Sequence, residues 1–270
     1  VEEHRHRKCF SLLFYRAVRD LKPVWRLEDM LTMETFYQED GVMQTIYTPS
    51  EALLYAIVHD HQSYAEYLLS RFPDEALAKL GERFCCCPSS APHLTMAVRY
   101  DRRCILSLIL QETHRTPTTP PYKDRAECFH MEEASTPLHL ACELLRTEAV
   151  IILLGNEVSP HVLCPEPALP NVALEVSKGE ARQCLDILLM FMPKVRFQMK
   201  GALDREPERW SEFLDENTFR YLASKRPAPL LLLAMQTLLT QLSPATFPHI
   251  LHKLPIPSSF FSGAQRTRKV

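Results

Sequence analysis

Glycine is scarce in this sequence, and the glycines that are present form no nucleotide-binding motif. Only 6 of the 270 residues are glycine, whereas an average protein contains about 7%. All six are isolated, so no GxG, no phosphate-binding loop and no GxSxG element occurs. These absences argue against a dinucleotide-binding enzyme, a P-loop nucleotidase and an α/β-hydrolase. The shortage of turn glycines also argues against a β-sandwich.

The chain also lacks the patterns of a disulfide-rich, membrane-spanning or nucleic-acid-binding protein. Its 9 cysteines are odd in number and include no CxxC pair, which favours reduced thiols in the cytosol over a disulfide framework or a zinc ribbon. The 31 basic and 33 acidic residues give a net charge of −2, so no general attraction to nucleic acid or anionic membranes is expected. The longest uncharged stretch, residues 227–252, has an apolar centre too short to span a membrane of ~30 Å, and no signal-peptide pattern is present.

No residue pattern points to catalysis. The sequence contains no HExxH, no carboxylate dyad and no kinase signature, and His59 and His61 are two residues apart on a predicted helix, where they face different sides. We therefore expect a non-enzymatic protein without a cofactor or metal site. The run Cys85, Cys86 and Cys87 leaves three alternatives open: an inter-helix loop, palmitoylation or metal binding.

One short segment carries a specific repeat signature. Residues 136–141 read TPLHLA, in which Thr136 can cap a helix whose first turn tolerates Pro137. Ala141 is small, so a second antiparallel helix, ending near residue 154, can approach closely. This signature resembles the ankyrin repeat, in which His139 has a structural role. Because one repeat cannot bury its own apolar face, further repeats must flank it.

Three further windows fit the same register when each small residue is treated as an anchor. The anchors, each followed 12 and 13 residues later by two apolar residues, are Ala56 (Leu68, Leu69), Ala97 (Ile109, Leu110), Ala141 (Leu153, Leu154) and Ser177 (Leu189, Met190). The leucines three residues before the anchors are Leu53, Leu94, Leu138 and Leu174. The anchors are further apart than the usual 33 residues, which indicates enlarged loops, with residues 114–135 as one insertion. Glu157 stands where ankyrin repeats usually carry glycine.

Helices are also predicted on both sides of the repeats. Apolar residues at i, i+3, i+4, i+7, i+8 and i+11 predict an amphipathic helix that ends near Pro23, and these are Phe10, Leu13, Phe14, Ala17, Val18 and Leu21. We expect this helix to cap the repeats, although the upstream HRHRK also allows a membrane-surface helix. Apolar residues between 210 and 222 predict one or two short helices after the repeats.

The C-terminal segment contains two elements in a recognisable order. Leu230, Ala234 and Leu238 are four residues apart and lie on one face of a helix. This pattern resembles the box by which SOCS-box proteins bind Elongin C, in which the leucine fills an apolar pocket. Most members of that family carry cysteine where this chain has alanine, which keeps the small volume.

The second element is a proline-rich tetrapeptide further along the chain. Leu254, Pro255, Ile256 and Pro257 resemble the Leu-Pro-hydrophobic-Pro element through which SOCS boxes recruit cullin-5. Its two prolines fix φ and favour an extended segment before binding. The alternative is a terminal helix that closes the repeats, followed by a proline-rich tail.

Most of the chain is similar to one family of ankyrin-repeat proteins with a SOCS-box-like C-terminus. The segments that carry the similarity are 14–21, 23–25, 50–56, 58–62, 97–100 and 139–144. The resemblance implies a substrate receptor of a cullin-RING ubiquitin ligase, with Elongin B/C and cullin-5 as partners. It also implies inosine-monophosphate dehydrogenase as a candidate client. The alternative is an ankyrin scaffold that binds a cytosolic partner without ligase activity.

The expected architecture is all-α: an ankyrin-repeat solenoid with an N-terminal capping helix and C-terminal SOCS-box-like helices. The predicted segments are 1–47 for the cap, 48–199 for about four degenerate repeats, 200–228 for a helical connector and 229–262 for the SOCS-box-like segment. On an ankyrin template, residues two and three after each anchor lie near the concave face. The predicted client-binding residues are therefore His59, Arg99, Tyr100, Glu143 and Leu144.

Overall fold

The part of the chain that the structure describes is almost entirely helical. In a computed structural model, the described residues are 2–33, 36–37, 43–44, 47–78, 92–115, 122–124, 136–158, 178–191, 200–223 and 225–242. They include one antiparallel pair of two-residue strands, β1 (Phe36–Tyr37) and β2 (Met43–Gln44). The predicted all-α class is confirmed. The chain divides into two compact units, residues 1–134 and 135–270.

The N-terminal unit is built from packed helix pairs. Its helices are α1 (Glu2–Arg19), α2 (Val24–Met33), α3 (Pro49–His59), α4 (Gln62–Arg71), α5 (Pro73–Ala76), α6 (Pro92–Arg99) and α7 (Arg103–Arg115), with a 3-10 turn at Tyr122–Asp124. Helices α3 and α4 form one helix-turn-helix pair and α6 and α7 form the next; α3 packs against α6, and α4 against α7. Helix α1 packs on α3 and α2 on α4, so the N-terminal helices take the place of a preceding pair.

The capping chemistry at the start of α3 accounts for its first turn. Thr48 accepts a hydrogen bond from the amide of Glu51 (3.2 Å), and the Glu51 carboxylate accepts one from the amide of Thr48 (3.1 Å). This reciprocal pair satisfies two amides that the helix itself cannot pair. Pro49 occupies the first helical position, where its missing N–H costs nothing.

The predicted repeat register agrees with burial in this unit. Its two anchors, Ala56 and Ala97, are fully buried. The apolar pairs that follow and the leucines that precede them are also buried, at 4% exposure or less: Leu53, Leu68, Leu69, Leu94, Ile109 and Leu110. The small anchors let adjacent helices approach closely, and the leucines fill the space between them.

Helix α1 differs from the expectation in two respects. It begins at Glu2, well before the predicted apolar face, and it ends at Arg19. Phe14, Ala17 and Val18 are buried as predicted, but Leu13 is 49% and Leu21 is 55% exposed. Leu21 follows the helix and has a φ of 49°, so it no longer lies on the helical face. None of the helices in the described ranges is long and apolar enough to span a bilayer.

The C-terminal unit begins with the repeat that carries the ankyrin signature. Its helices are α8 (Pro137–Glu143), α9 (Thr147–Gly155), α10 (Lys178–Phe191), α11 (Lys200–Arg205), α12 (Pro207–Phe213), α13 (Glu216–Leu222) and α14 (Leu230–Thr240). Thr136 accepts a hydrogen bond from the amide of His139 (3.2 Å), so the predicted cap is confirmed. Ala141 is fully buried, and Leu138, Leu153, Leu154, Leu189 and Met190 are also buried. Ser177 and Leu174 lie outside the described residues.

A second apolar cluster joins α10 to the short helices that follow it. It contains Leu185, Leu189, Leu203, Leu214, Phe219, Leu222 and Ala223. Trp210 and Phe213 pack against this cluster with their rings edge to face, 6.1 Å apart. The predicted short helices are therefore present as α12 and α13, with Leu214 directly after α12.

Residues other than glycine occupy left-handed backbone positions at matching points of the repeats. Asp60, Asp101 and Leu145, with φ of 57°, 54° and 52°, each stand four residues after their anchor, between the two helices of a pair. Glu157, with a φ of 60°, follows the second helix where glycine is usual. Such φ values are favourable for glycine and cost other residues about 1 kcal/mol or more. The chain thus keeps the repeat geometry with few glycines.

Candidate protein-interaction surfaces

Helix α14 buries one side and exposes a row of leucines on the other. Met235 and Gln236 are buried, and the Gln236 side-chain amide donates a hydrogen bond to the carbonyl of Leu189 on α10 (2.8 Å). In contrast, Leu230 is 83% exposed, and Leu231 and Leu233 are 46% and 45% exposed. A group of exposed leucines on a firmly docked helix is typical of a surface that binds another protein.

The residues predicted to bind Elongin lie on this exposed side or beside it. Leu230 and Ala234 are exposed and Leu238 is half-buried. Packing against α10 accounts for Met235 and Gln236, but it gives no reason for an exposed leucine at position 230. The predicted cullin-binding residues, Leu254, Pro255, Ile256 and Pro257, lie outside the described residues, as do Cys85, Cys86 and Cys87.

The N-terminal unit carries a second surface feature, at the C-terminal ends of α1 and α3. The His59 ring packs edge to face on Tyr15, with ring centroids 4.9 Å apart. Tyr15 in turn contacts Tyr55 in the same manner at 5.5 Å. These side chains are half-buried, so they form an ordered aromatic surface rather than part of the core.

Arg102 joins this surface to the next repeat. Its guanidinium donates hydrogen bonds to the carbonyls of Ile57 (3.1 Å) and Val58 (2.9 Å) near the end of α3. A cation at the C-terminal end of a helix is favourable because the last carbonyls lack partners within the helix. The guanidinium carbon also lies 5.9 Å from the ring centroid of Tyr100, which is 42% exposed. Tyr100 and Arg102 together continue the surface.

The electrostatic environment of His59 is positive. Partial burial, followed by the charges of Arg19 and Arg102, lowers the pKa of His59 below its ordinary value, and Asp20 opposes this in part. The Nε2 atom of His59 is buried and has no hydrogen-bond partner among the described residues. A buried polar atom without a hydrogen bond costs about 1–3 kcal/mol of stability. The Nε2 atom of His59 therefore lacks a hydrogen bond that a binding partner could supply.

The other predicted client-binding residues differ in their surroundings. Arg99 is exposed at the end of α6. Glu143 accepts a hydrogen bond from Nε2 of His139 (3.2 Å), and Leu144 is 39% exposed; both belong to the C-terminal unit. The structure therefore brings His59 and Tyr100 together around Arg102. Their role in client binding stays a prediction.

A buried polar cluster that the sequence did not indicate lies between α3, α6 and the Tyr122–Asp124 turn. His93 is fully buried, with Nε2 2.9 Å from the Ser50 carbonyl and Nδ1 2.7 Å from the Tyr122 hydroxyl. Because a carbonyl can only accept, Nε2 carries the proton and Nδ1 accepts from Tyr122. His93 thus connects α3, α6 and the Tyr122–Asp124 turn within the insertion.

Burial makes His93 a source of acid sensitivity. Desolvation lowers the pKa of His93 from 6.5 to about 4, although the bond to Ser50 opposes the shift. Between these values the unfolded chain binds a proton that the folded core excludes, so stability falls as the pH falls. We expect wild type to lose about 2 kcal/mol more between pH 7 and pH 5 than His93→Gln does.

Chemical denaturation at the two pH values measures this difference directly. His93→Gln keeps hydrogen-bonding capacity but cannot bind a proton, so carboxylate effects are common to both proteins and cancel. An equal pH dependence in wild type and His93→Gln would contradict the prediction.

The repeated helix pairs and their turns define a class of protein. Helix pairs with buried alanine anchors, a leucine three residues earlier and a left-handed turn four residues later are those of an ankyrin-repeat protein, a scaffold for protein interaction. The sequence is 37% identical over 287 aligned residues to Ankyrin repeat domain-containing protein 9 of Mus musculus, with 92% of this chain and 87% of the mouse protein covered. The chain belongs to the family of that protein.

Two further comparisons gave no match. No protein-family model matches the chain, and no solved structure matches it. Within the described ranges, no group of three or more histidine, cysteine, aspartate or glutamate side chains is arranged to hold a metal ion.

Proposed function

We propose that the chain is the substrate-recognition adaptor of a cullin-5-type RING ubiquitin ligase. In this role the repeats bind a client, and the C-terminal elements bind Elongin B/C and the cullin, which leads to client ubiquitination and proteasomal degradation. The single observation that carries the proposal is the exposure of Leu230 at 83% on a helix whose other side is docked on α10.

Each C-terminal residue has a specific part in the proposal. Leu230 enters an apolar pocket of Elongin C, and Ala234 permits close approach of the two helices. Leu238 is half-buried and completes the contact at the far end. Leu254, Pro255, Ile256 and Pro257 contact cullin-5, and the two prolines reduce the entropy lost on binding.

The client is a cytosolic protein, and inosine-monophosphate dehydrogenase is the candidate that the sequence resemblance implies. The adaptor itself performs no chemistry, since ubiquitin transfer belongs to the other subunits of the ligase. A scaffold without ligase activity is the second candidate function. The bond between Gln236 and Leu189 favours it, since α14 already packs within its own chain.

Replacing all four cullin-binding residues by alanine separates the two functions. The change removes two φ restraints and two apolar side chains, while α14 lies well upstream. We expect Elongin B/C to co-purify as in wild type and cullin-5 to be depleted at least tenfold. The client should stay bound and accumulate, because the adaptor holds it without delivering it.

Pull-downs and a melting temperature on one preparation give the result. Replacing the equally long segment Gln265, Arg266, Thr267 and Arg268 by alanine is the matched control and should leave both partners bound. Loss of thermal stability together with Elongin binding would instead assign residues 254–257 to packing within the chain. Cullin-5 recovery equal to wild type would reject their assignment.

A further inference from the structure

Five aromatic and cationic side chains of the N-terminal unit form a surface that we call the cationic-aromatic patch. Its members are Tyr15 and Arg19 of α1, His59 of α3, and Tyr100 and Arg102 of the next repeat. We infer that this patch binds a short acidic segment of a client protein, with a carboxylate or phosphate held by Arg19 and Arg102. The inference rests on the proposed function, because it names the chemistry of the client.

The charges of the patch are available to a partner. Arg19 pairs with Asp20 at 2.9 Å, but the two side chains are 51% and 45% exposed. An ion pair exposed to solvent adds little to stability, so a partner carboxylate can displace Asp20 at small cost. Arg102 uses two N–H groups on the α3 carbonyls, and its side chain is 28% exposed. Its Nη1 atom lies 3.9 Å from the Asp60 carboxylate, a partly exposed pair that a partner anion can replace.

The carbonyl bonds of Arg102 also fix the position of its charge. A guanidinium held by two hydrogen bonds has already lost most of its rotamer freedom, so less entropy is lost when an anion binds. Tyr100, 5.9 Å beneath that group and 42% exposed, offers a flat apolar surface beside it. Arginine and tyrosine side by side are the residue types that contribute most at protein interfaces.

The charged groups around His59 give the patch a dependence on pH. They are Arg19 at the end of α1, Asp20 directly after that helix, Arg102 of the next repeat and Asp60 next to His59. The Asp60 carboxylate lies 3.9 Å from the Arg102 guanidinium. Partial burial and then the two arginines disfavour protonation of His59, and a bound anion offsets the charge of the arginines. Binding therefore raises the pKa of His59, so affinity increases as the pH falls.

Matched peptides test the inference on the whole chain. The probes are fluorescein-labelled 12-residue peptides in three versions that differ only in carrying glutamate, glutamine or phosphoserine at alternate positions. We expect the glutamate version to bind at least tenfold more tightly than the glutamine version. Comparison of the phosphoserine and glutamate versions shows whether the patch prefers a phosphate or a carboxylate. Either anionic version binding more tightly than the glutamine version supports the inference.

The variants avoid the structural role of Arg102. Arg19→Gln combined with Tyr100→Ala changes exposed side chains only and should weaken the anionic peptide at least tenfold. Arg71→Gln is the matched control, because Arg71 is also an exposed arginine beside an aromatic ring, 5.8 Å from the centroid of Phe72. His59→Gln should remove the gain in affinity, about threefold, that wild type shows between pH 8 and pH 6.

Three outcomes would overturn the inference: equal binding of the glutamine peptide, equal loss in Arg71→Gln, or equally tight binding of a 12-nucleotide oligothymidine. Elongin B/C pull-downs on the same preparations separate this inference from the proposed function. If Elongin B/C is recovered but the peptides do not differ, the inference is wrong and the adaptor role stands. If the peptides differ but wild type recovers no Elongin B/C, the ligase role is wrong and the patch serves a scaffold.

Discussion

Leu230→Arg is expected to reduce Elongin B/C binding by about 30-fold or more while the chain stays folded. Truncating a leucine anchored in a pocket costs roughly 2 kcal/mol at an interface, and a buried, unpaired guanidinium costs more. In the isolated chain Leu230 is 83% exposed, so the same substitution should leave the melting temperature nearly unchanged. Calorimetric titration with purified Elongin B/C measures the effect.

Thr240→Arg is the control for Leu230→Arg. It adds the same charge to an exposed position at the other end of α14, away from the predicted anchor. Its affinity for Elongin B/C should stay within about twofold of wild type. Wild-type binding by Leu230→Arg would reject the box assignment, and a large loss in both variants would attribute the effect to charge alone.

Leu94→Ala should strongly destabilise the N-terminal unit. The side chain is fully buried three residues before the Ala97 anchor, in a helix that packs on both α3 and α7. Removing it leaves a cavity, and such substitutions cost about 3 kcal/mol. We expect a correspondingly lower urea midpoint for the transition that reports on the N-terminal unit.

The exposed leucine Leu12 provides the comparison for Leu94. It is 47% exposed on α1, so Leu12→Ala should change the free energy of unfolding by no more than about 0.5 kcal/mol. A loss below about 1 kcal/mol in Leu94→Ala would show that the repeat register misidentifies the core of this unit.

The repeat register could be predicted because it depends on local periodicity. In any helix, a small residue and the leucine three positions before it lie on the same face. Ala56, Ala97 and Ala141 are all fully buried on that face. The caps at Thr48 and Thr136 are likewise local. Such features depend on residues a few positions apart, which the sequence displays directly.

Contacts between distant residues could not be predicted in this way. His93 and Tyr122 are 29 residues apart, and their bond depends on where the Tyr122–Asp124 turn lies relative to α6. Arg102 binds carbonyls of the preceding repeat. Only a position-by-position comparison of the degenerate repeats could have indicated this contact. His61 stands five residues after its anchor, as Arg102 does, and its side chain contacts the Lys22 carbonyl at 2.7 Å. The exposure of Leu13 depends on which helices cover α1.

The placement of the two tryptophans makes intrinsic fluorescence selective for one part of the chain. Trp25, in the N-terminal unit, is 66% exposed in the folded protein, so its emission should change little on unfolding. Trp210, in the C-terminal unit, is half-buried against Phe213, so its emission should shift to the red when that unit opens. Circular dichroism reports on the helices of both units, and separate midpoints from the two signals would reveal that the units unfold independently.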